Sequence, residues 1–325
     1  MAKLRTPASA RVERKRRSLL ANLFIRLVKE KPLGTVGGII VLILFLTGIF
    51  ADLLAPYGFN EIILADRLSP PSATHILGCD NLGRDLLSRI INGARISMVV
   101  SLSATFLSIG TRVLVAVPSG YYGGKFDIVM QRLVDAVMSI PTLLFILSIM
   151  AILGPGLLQI ILVMGIHSGF GAGSRITRSA VINIKENVYF EAARAIGAPN
   201  RTIIFRHVVP NILPIIIVQF TLAMGLFITL EAMMSFLGFG IPPPFPSWGG
   251  MLSGPGRQYM LQAPWMLFWP GMCLFLVVYG VNMLGDAVRD ILDPRLRGGL
   301  GRYGGMSQED LQKLAEQKKA EVAKG

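Results

Sequence analysis

Long apolar runs bounded by charged or glycine- and proline-rich stretches dominate the chain. A helix needs about 20 largely apolar residues to cross the hydrocarbon core of a bilayer. Six segments approach that length: 35–55, 96–117, 133–153, 157–174, 212–237 and 266–288. The pattern predicts an all-α membrane protein with six transmembrane helices, and the even number places both termini on one side. Two connections are long. One, 56–95, is punctuated by Pro56, Pro70 and Pro71; the other, 238–265, contains the run Ile241-Pro-Pro-Pro-Phe-Pro-Ser-Trp248, whose prolines forbid regular helix. Loops of this size on the outer side are suited to contact another protein.

Charge then orients the chain. With both termini inside, 26 of the 32 Lys and Arg residues lie in inner segments: ten in 1–34, two in 118–132, six in 175–211 and eight in 289–325. The outer loops hold five, and Arg112 lies within a span. Cations collect on the cytoplasmic side of membrane proteins, so both termini are expected in the cytoplasm. Composition agrees: 52% of residues are hydrophobic and 16% charged, where soluble domains carry about a quarter charged. The net charge of +13 is spread between apolar runs rather than gathered on a soluble fold, which argues against nucleic acid as a partner.

The first apolar run is too long for a signal-peptide core and follows ten cations, so it reads as an uncleaved span. The expected organisation is a basic cytoplasmic arm with an interfacial helix (1–34), a transmembrane domain (35–297) with a cytoplasmic loop at 186–210, and a cytoplasmic tail (298–325). Leu19, Leu20, Leu23, Phe24 and Leu27 form one helical stripe in the arm, suited to the lipid interface or to packing on the bundle. The tail opens a short polar helix at Ser307-Gln-Glu-Asp310 in the manner of a capping box.

Enzyme templates fail. The chain has no HExxH, GxSxG or GxxxxGK[ST] pattern; Gly123-Gly124-Lys125-Phe126 lacks both the upstream glycine and the hydroxyl that holds magnesium. Cys79 and Cys273 have no paired spacing, and His75, His167 and His207 fall in an outer loop, a span and an inner loop. No nucleophile and base share a membrane depth, so an intramembrane enzyme is disfavoured.

The inner loop before the fifth span reads differently. Residues 191–196 are mostly strong helix formers, and Gly197 and Pro199 then stop the helix, which predicts a short rigid helix projecting into the cytoplasm. Glu191-Ala-Ala, then Gly197, then His207-Val-Val-Pro210 resembles the EAA motif of ABC importer permeases, in the form found in the peptide-transporter branch. Further segments are similar to the dipeptide and oligopeptide permeases of that family over most of the chain. They are Leu77-Gly-Cys-Asp-Asn-Leu-Gly-Arg-Asp-Leu-Leu-Ser-Arg89, Gly93-Ala-Arg-Ile-Ser97, Gly120-Tyr-Tyr-Gly-Gly124 with Asp127, and Arg132-Leu-Val-Asp135. Ser235-Phe-Leu-Gly238, Trp248-Gly and Gly285-Asp-Ala-Val-Arg-Asp-Ile-Leu-Asp-Pro294 follow in order. Cys79 stands where that branch usually has threonine.

The resemblance implies the type I ABC importer permease fold and a non-catalytic subunit forming half of a pathway for di- or oligopeptides. It assigns ATPase coupling to Glu191, Ala192, Ala193 and Gly197. It implies a homologous second permease subunit, two ATPase subunits that carry ATP and magnesium, and an extracytoplasmic substrate-binding protein, all at a bacterial or archaeal inner membrane. No cofactor is expected in this chain. Nickel permeases share the organisation and supply the alternative cargo; a secondary transporter would not require the EAA-like helix.

Polar groups inside the spans are costly and invite roles. Glu231 falls roughly 28 Å along the fifth span, near the outer surface, as a candidate for pathway or gating and equally for packing. Ser101 and Thr105, with Ser103 and Ser108, are further pathway candidates or helix-to-helix hydrogen-bonding groups. Asp135 is expected to pair with Arg132, one turn away. Arg112 is expected to snorkel to the inner surface. Gly165, Gly169 and Gly173 permit close helix approach within the bundle or against a second subunit.

Overall fold

The computed structural model describes residues 19–292, with side chains from residue 25 onward; the basic arm to Ser18 and the tail helix at Ser307 lie outside them. All regular structure among the described residues is helical. An amphipathic α1 (Leu19–Glu30) leads into α2 (Pro32–Ile49), which opens on Pro32, a residue whose missing N–H costs nothing in a first turn. The upper part of the arm's stripe lies outside the described side chains, while Lys31 Nζ donates to Asp290 Oδ2 (2.6 Å) and ties the arm to the end of the last helix. After α3 (Ala51–Leu54) the outer loop folds on itself. Asp80 pairs with Arg84 (2.7 Å), and Trp265 Nε1 donates to the Cys79 carbonyl (3.1 Å).

Asp85 caps α4 (Leu86–Tyr122), its Oδ2 accepting from Ser88 N at 2.8 Å. At 37 residues this helix is about 55 Å long, well beyond the thickness of a bilayer core. It stops at Gly123, where the backbone enters the left-handed region (φ 68°).

The third and fourth expected spans are not straight. The segment 133–153 is broken: α5 (Gly124–Met138) and α6 (Thr142–Leu153) meet at 83°. Pro141 has no N–H to continue the ladder and biases Ile140 away from helix, so α6 supplies only about 18 Å of helix. The fourth span is α7 (Leu157–Gly169), bent by 43° into α8 (Ala172–Lys185), which carries the chain on to the inner loop. Among the described residues four helices are individually long and apolar enough to cross a membrane, and up to six spans result when each bent pair counts as one.

After α9 (Val188–Ala195), α10 (Asn200–Ile203) runs through one wide π turn, Ile204–Val208, into α11 (Val209–Phe236). Pro210 lies just past the wide turn and cannot donate into the ladder, a local cause of the irregularity. The outer proline loop holds the short α12 (Trp248–Leu252) and α13 (Gly254–Gln258), and α14 (Trp265–Leu292) closes the bundle.

Three apolar clusters hold these helices. Val100, Ile146, Met164 and Phe227 centre one between α4, α6, α7 and α11. Leu44, Ile228, Trp248 and Val281 centre another between α2, α11, α12 and α14. A third, with Val181, Ile184, Phe190, Ile203 and Ile212, lies under the inner loop. The glycine repeat serves packing inside this chain. A Cβ built on Gly165, Gly169 or Gly173 would lie within 2.8 Å of Leu107, Thr111 or Arg112 respectively, all on α4.

Candidate functional site

The inner loop and the helices that present it form the best-defined site. Its helix α9 is only eight residues, too short to persist alone, and is held at both ends. At its start, Asn187 Nδ2 donates to the Asn183 and Ile184 carbonyls at 3.1 Å, closing the end of α8. At its finish, Gly197 N–H meets Arg194 O (3.0 Å) and Ala198 N–H meets Ala193 O (3.1 Å), the paired bonds of a Schellman cap. That cap needs a left-handed residue, and Gly197 has φ 75°.

The faces of α9 differ. Phe190 and Ala193 are buried against the bundle, whereas Glu191 and Ala192 face outward. Val188 and Ile196, more than 80% exposed, flank them, and Phe205 adds a third open apolar side chain. Of the four residues singled out from the motif, two lie on the open face, Ala193 packs the helix down and Gly197 ends it.

A polar layer fixes α8 to the inner end of α4 and to α5. Arg178 forks onto Asp127, Nε to Oδ1 at 2.6 Å with a second bond from Nη2 to Oδ2, and Asp127 also accepts from Ser119 Oγ. Lys185 Nζ donates to the Gly120 and Tyr121 carbonyls (3.2 and 2.9 Å), neutralising the negative end of α4. Tyr121 Oη donates to Asn200 Oδ1 (2.8 Å), joining the far side of the loop. Asp135 pairs with Arg132 (3.4 Å) as expected and also with Arg175 on α8. Beside α9 a polar cleft of about 210 Å³ opens between Tyr121, Tyr122, Lys185, Phe190, Arg194 and Asn200. Gly120-Tyr-Tyr-Gly-Gly124 and Asp127 are legible in the sequence as a motif but the clamp is not; Asp127 between Phe126 and Ile128 is the available signal.

The other candidate residues do not gather at one place. Glu231 lies toward the outer end of its helix but is fully buried, accepting from Ser235 Oγ (2.7 Å), which in turn accepts from Ile241 N (3.3 Å). The carboxylate therefore pins the start of the outer proline loop instead of facing an open surface. Ser101 and Thr105 are buried too, their hydroxyls turned back to the carbonyls of Met98 and Ser101. Their O–H donors are spent within α4, and both side chains are enclosed by the bundle. Arg112 does not snorkel: it is 6% exposed and enclosed by α4, α7, α8 and α11.

On the outer side a cleft of about 330 Å³ lies between the two long loops, with Asp80, Arg84, Arg89, Pro243, Phe245 and Ser253 among its walls. Cys79 is buried nearby, and burial together with the Asp85, Asp66 and Asp80 charges pushes its thiol up to about 12. His75 bridges Asp85 (3.0 Å) and Asp66 (3.5 Å), and His167 stacks on Phe145 at 4.4 Å.

Comparison with known proteins shows what the chain is similar to. Residues 112–298 match the family described as binding-protein-dependent transport system inner membrane component, and residues 18–71 match the N-terminal TM domain of oligopeptide transport permease C. A dipeptide transport system permease protein of Alkalihalophilus pseudofirmus is 40% identical over 83% of this chain and 88% of its own. An oligopeptide transport system permease protein of Bacillus subtilis is 36% identical over 88% and 93%, and a glutathione transport system permease protein of Pectobacterium atrosepticum 35% identical over 84% and 91%. Among solved structures, the MetNI methionine ABC transporter in an inward-facing conformation aligns with a TM-score of 0.46 and 18% identity, covering 63% of this chain and 96% of that one.

Proposed function

Because the chain belongs to the family of binding-protein-dependent transport system inner membrane components, we propose that it is the permease subunit of an ATP-driven peptide importer, coupled to separate ATPase subunits through α9. The observation that carries this is the presentation of α9: a capped helix with an open face of Glu191, Ala192, Val188 and Ile196, joined rigidly through α8 to the inner ends of α4 and α5. A subunit gripping that face would move α8 and the spans with it.

The transporter would contain a second, homologous permease, two ATPase subunits that carry ATP and magnesium, and an extracytoplasmic binding protein that delivers substrate to the outer loops. The chain would lie in the inner membrane of a bacterium or archaeon with both termini inside, the arm (1–34) and tail (298–325) flanking the transmembrane domain. Peptide as cargo is supported by the dipeptide, oligopeptide and glutathione permeases among its relatives; nickel has no comparable support.

The test is ATP-dependent uptake of a labelled dipeptide by the assembled transporter in proteoliposomes. Uptake should vanish in a Glu191→Arg, Gly197→Val double variant that still inserts, and unlabelled di- and oligopeptides should compete where nickel ions do not. Uptake that persists in the double variant would refute coupling through α9; competition by nickel alone would refute the cargo.

A further inference from the structure

The polar clamp of α8 does not use Arg112, a buried cation. Arg112 sits where the break between α7 and α8 meets α4 and α11. Its Nη1 donates to Gln219 Oε1 (2.6 Å), and its Nη2 donates to Ser108 Oγ and to the Ser168 carbonyl, both at 3.3 Å. Nε has no acceptor among the described residues. The guanidinium packs against Gly173, where a Cβ would come within 2.4 Å of Cζ. Gln219 Nε2 continues to Thr177 Oγ1 (3.3 Å), and that hydroxyl donates to Gly173 O (3.0 Å).

This relay spans the break. Ser168 lies in the last turn of α7, where regular helical donors run out and a cation is favoured. Gly173 and Thr177 belong to α8, and Gln219 to α11. Arg112 therefore grips both sides of a 43° bend from a third helix. Every acceptor it uses is neutral. Ser108 travels with Arg112 on α4, but the contacts to Ser168, Gly173 and Gln219 all depend on the bend. Arg112 is 6% exposed, so water does not readily replace a lost contact. A charge whose compensation depends on one geometry biases the equilibrium toward that geometry.

We propose that Arg112 is a positioning residue for coupling: it latches the break at residues 170–171 and sets the resting angle of the arm formed by α8 and α9. The inference rests on the coupling role of α9 and concerns how the arm is held.

Two variants test it. Arg112→Lys keeps the charge and loses the fork; Gln219→Met keeps the volume and removes the best acceptor. Spin labels on the exposed residues Asn183 and Asp286, with Cys273 replaced by Ala, report the distance between α8 and the inner end of α14 in the full chain in nanodiscs. Both variants are expected to shift or broaden that distance distribution. In the assembled transporter, substrate moved per ATP hydrolysed should fall about tenfold, inside the usual range of coupling between sites. A distribution unchanged from the parent chain overturns the proposal. A shifted distribution with unchanged transport per ATP upholds the latch and overturns its role in coupling, while the reading of α9 itself stands or falls with the Glu191→Arg, Gly197→Val double variant. Should Arg112→Lys fail to insert, the Gln219→Met distribution decides alone.

Discussion

Phe190→Ala is the substitution whose effect on the inner loop follows most directly from its packing. Phe190 is 2% exposed and sits in the cluster of Val181, Ile184, Ile203 and Ile212, with its ring 6.0 Å from that of Tyr121 in an edge-on arrangement. It and Ala193 are the only buried residues of α9, so the helix is held to the bundle mainly by this ring. Truncating a buried phenylalanine costs about 3–5 kcal/mol. The lower end applies here, because the neighbouring polar cleft lets water enter the space. A loss of about 3 kcal/mol shifts the docked–undocked equilibrium of α9 by on the order of a hundredfold. Hydrogen exchange of the full chain in nanodiscs reads this directly. Protection of amides 189–198 should fall by on the order of a hundredfold, while α2 and α14 keep theirs, and Phe190→Leu should lose far less. Unchanged protection in 189–198, or equal loss in α14, would refute the assignment of Phe190 as the anchor of an otherwise marginal helix.

Three further outcomes are expected. Asp127→Asn, which breaks the forked pair with Arg178, should cost about 1–2 kcal/mol of local stability, read as faster exchange in α5 and α8, with Asp127→Arg, Arg178→Asp recovering part of it. Cys79 should resist maleimide from pH 7 to 9 in the folded chain and react at once after denaturation, since its thiol holds its proton to about 12 where an exposed one releases it near 9.0. The same shift means that stability is retained below pH 9 and declines as pH rises from there toward 12, because the unfolded chain loses that proton first; a Cys79→Ser chain should lack this alkaline decline. Glu231→Gln should leave peptide uptake near the parent rate, because the amide oxygen still accepts from Ser235; Glu231→Ala should loosen loop 238–248 and raise its proteolytic sensitivity. A collapse of uptake in Glu231→Gln would restore a charged role for this residue in passage.

The spans were legible wherever hydropathy alone decides structure. Trp265–Leu292 covers its expected segment 266–288, and Pro32–Ile49 covers most of 35–55 but ends six residues earlier, since a bilayer leaves an apolar run of that length little choice but helix. The angles of the two bent pairs were not legible, although Pro141 marks where the first can break. Nothing in apolar length distinguishes 133–153 from a straight span, and the 83° turn at Pro141 depends on where α5 packs against α4 and α8.

At the inner loop, sequence by itself determined that a short helix forms and where it stops, because helix propensity and the need for a left-handed residue at Gly197 are local. It also identified Glu191 and Gly197 as marked positions through the motif they share with the family. Which residues face outward, and what holds them, only the tertiary structure decided. Ala193 turns inward, Asp127 meets Arg178 across 51 positions, and Arg112 meets Gln219 across 107. Likewise Glu231, Ser101 and Thr105 read as open candidates because their residue types are costly in a membrane, while their burial depends on neighbours far away in the chain. Local chemistry fixes an element's type and ends; the partner of a polar side chain is a long-range property, set by how the helices pack.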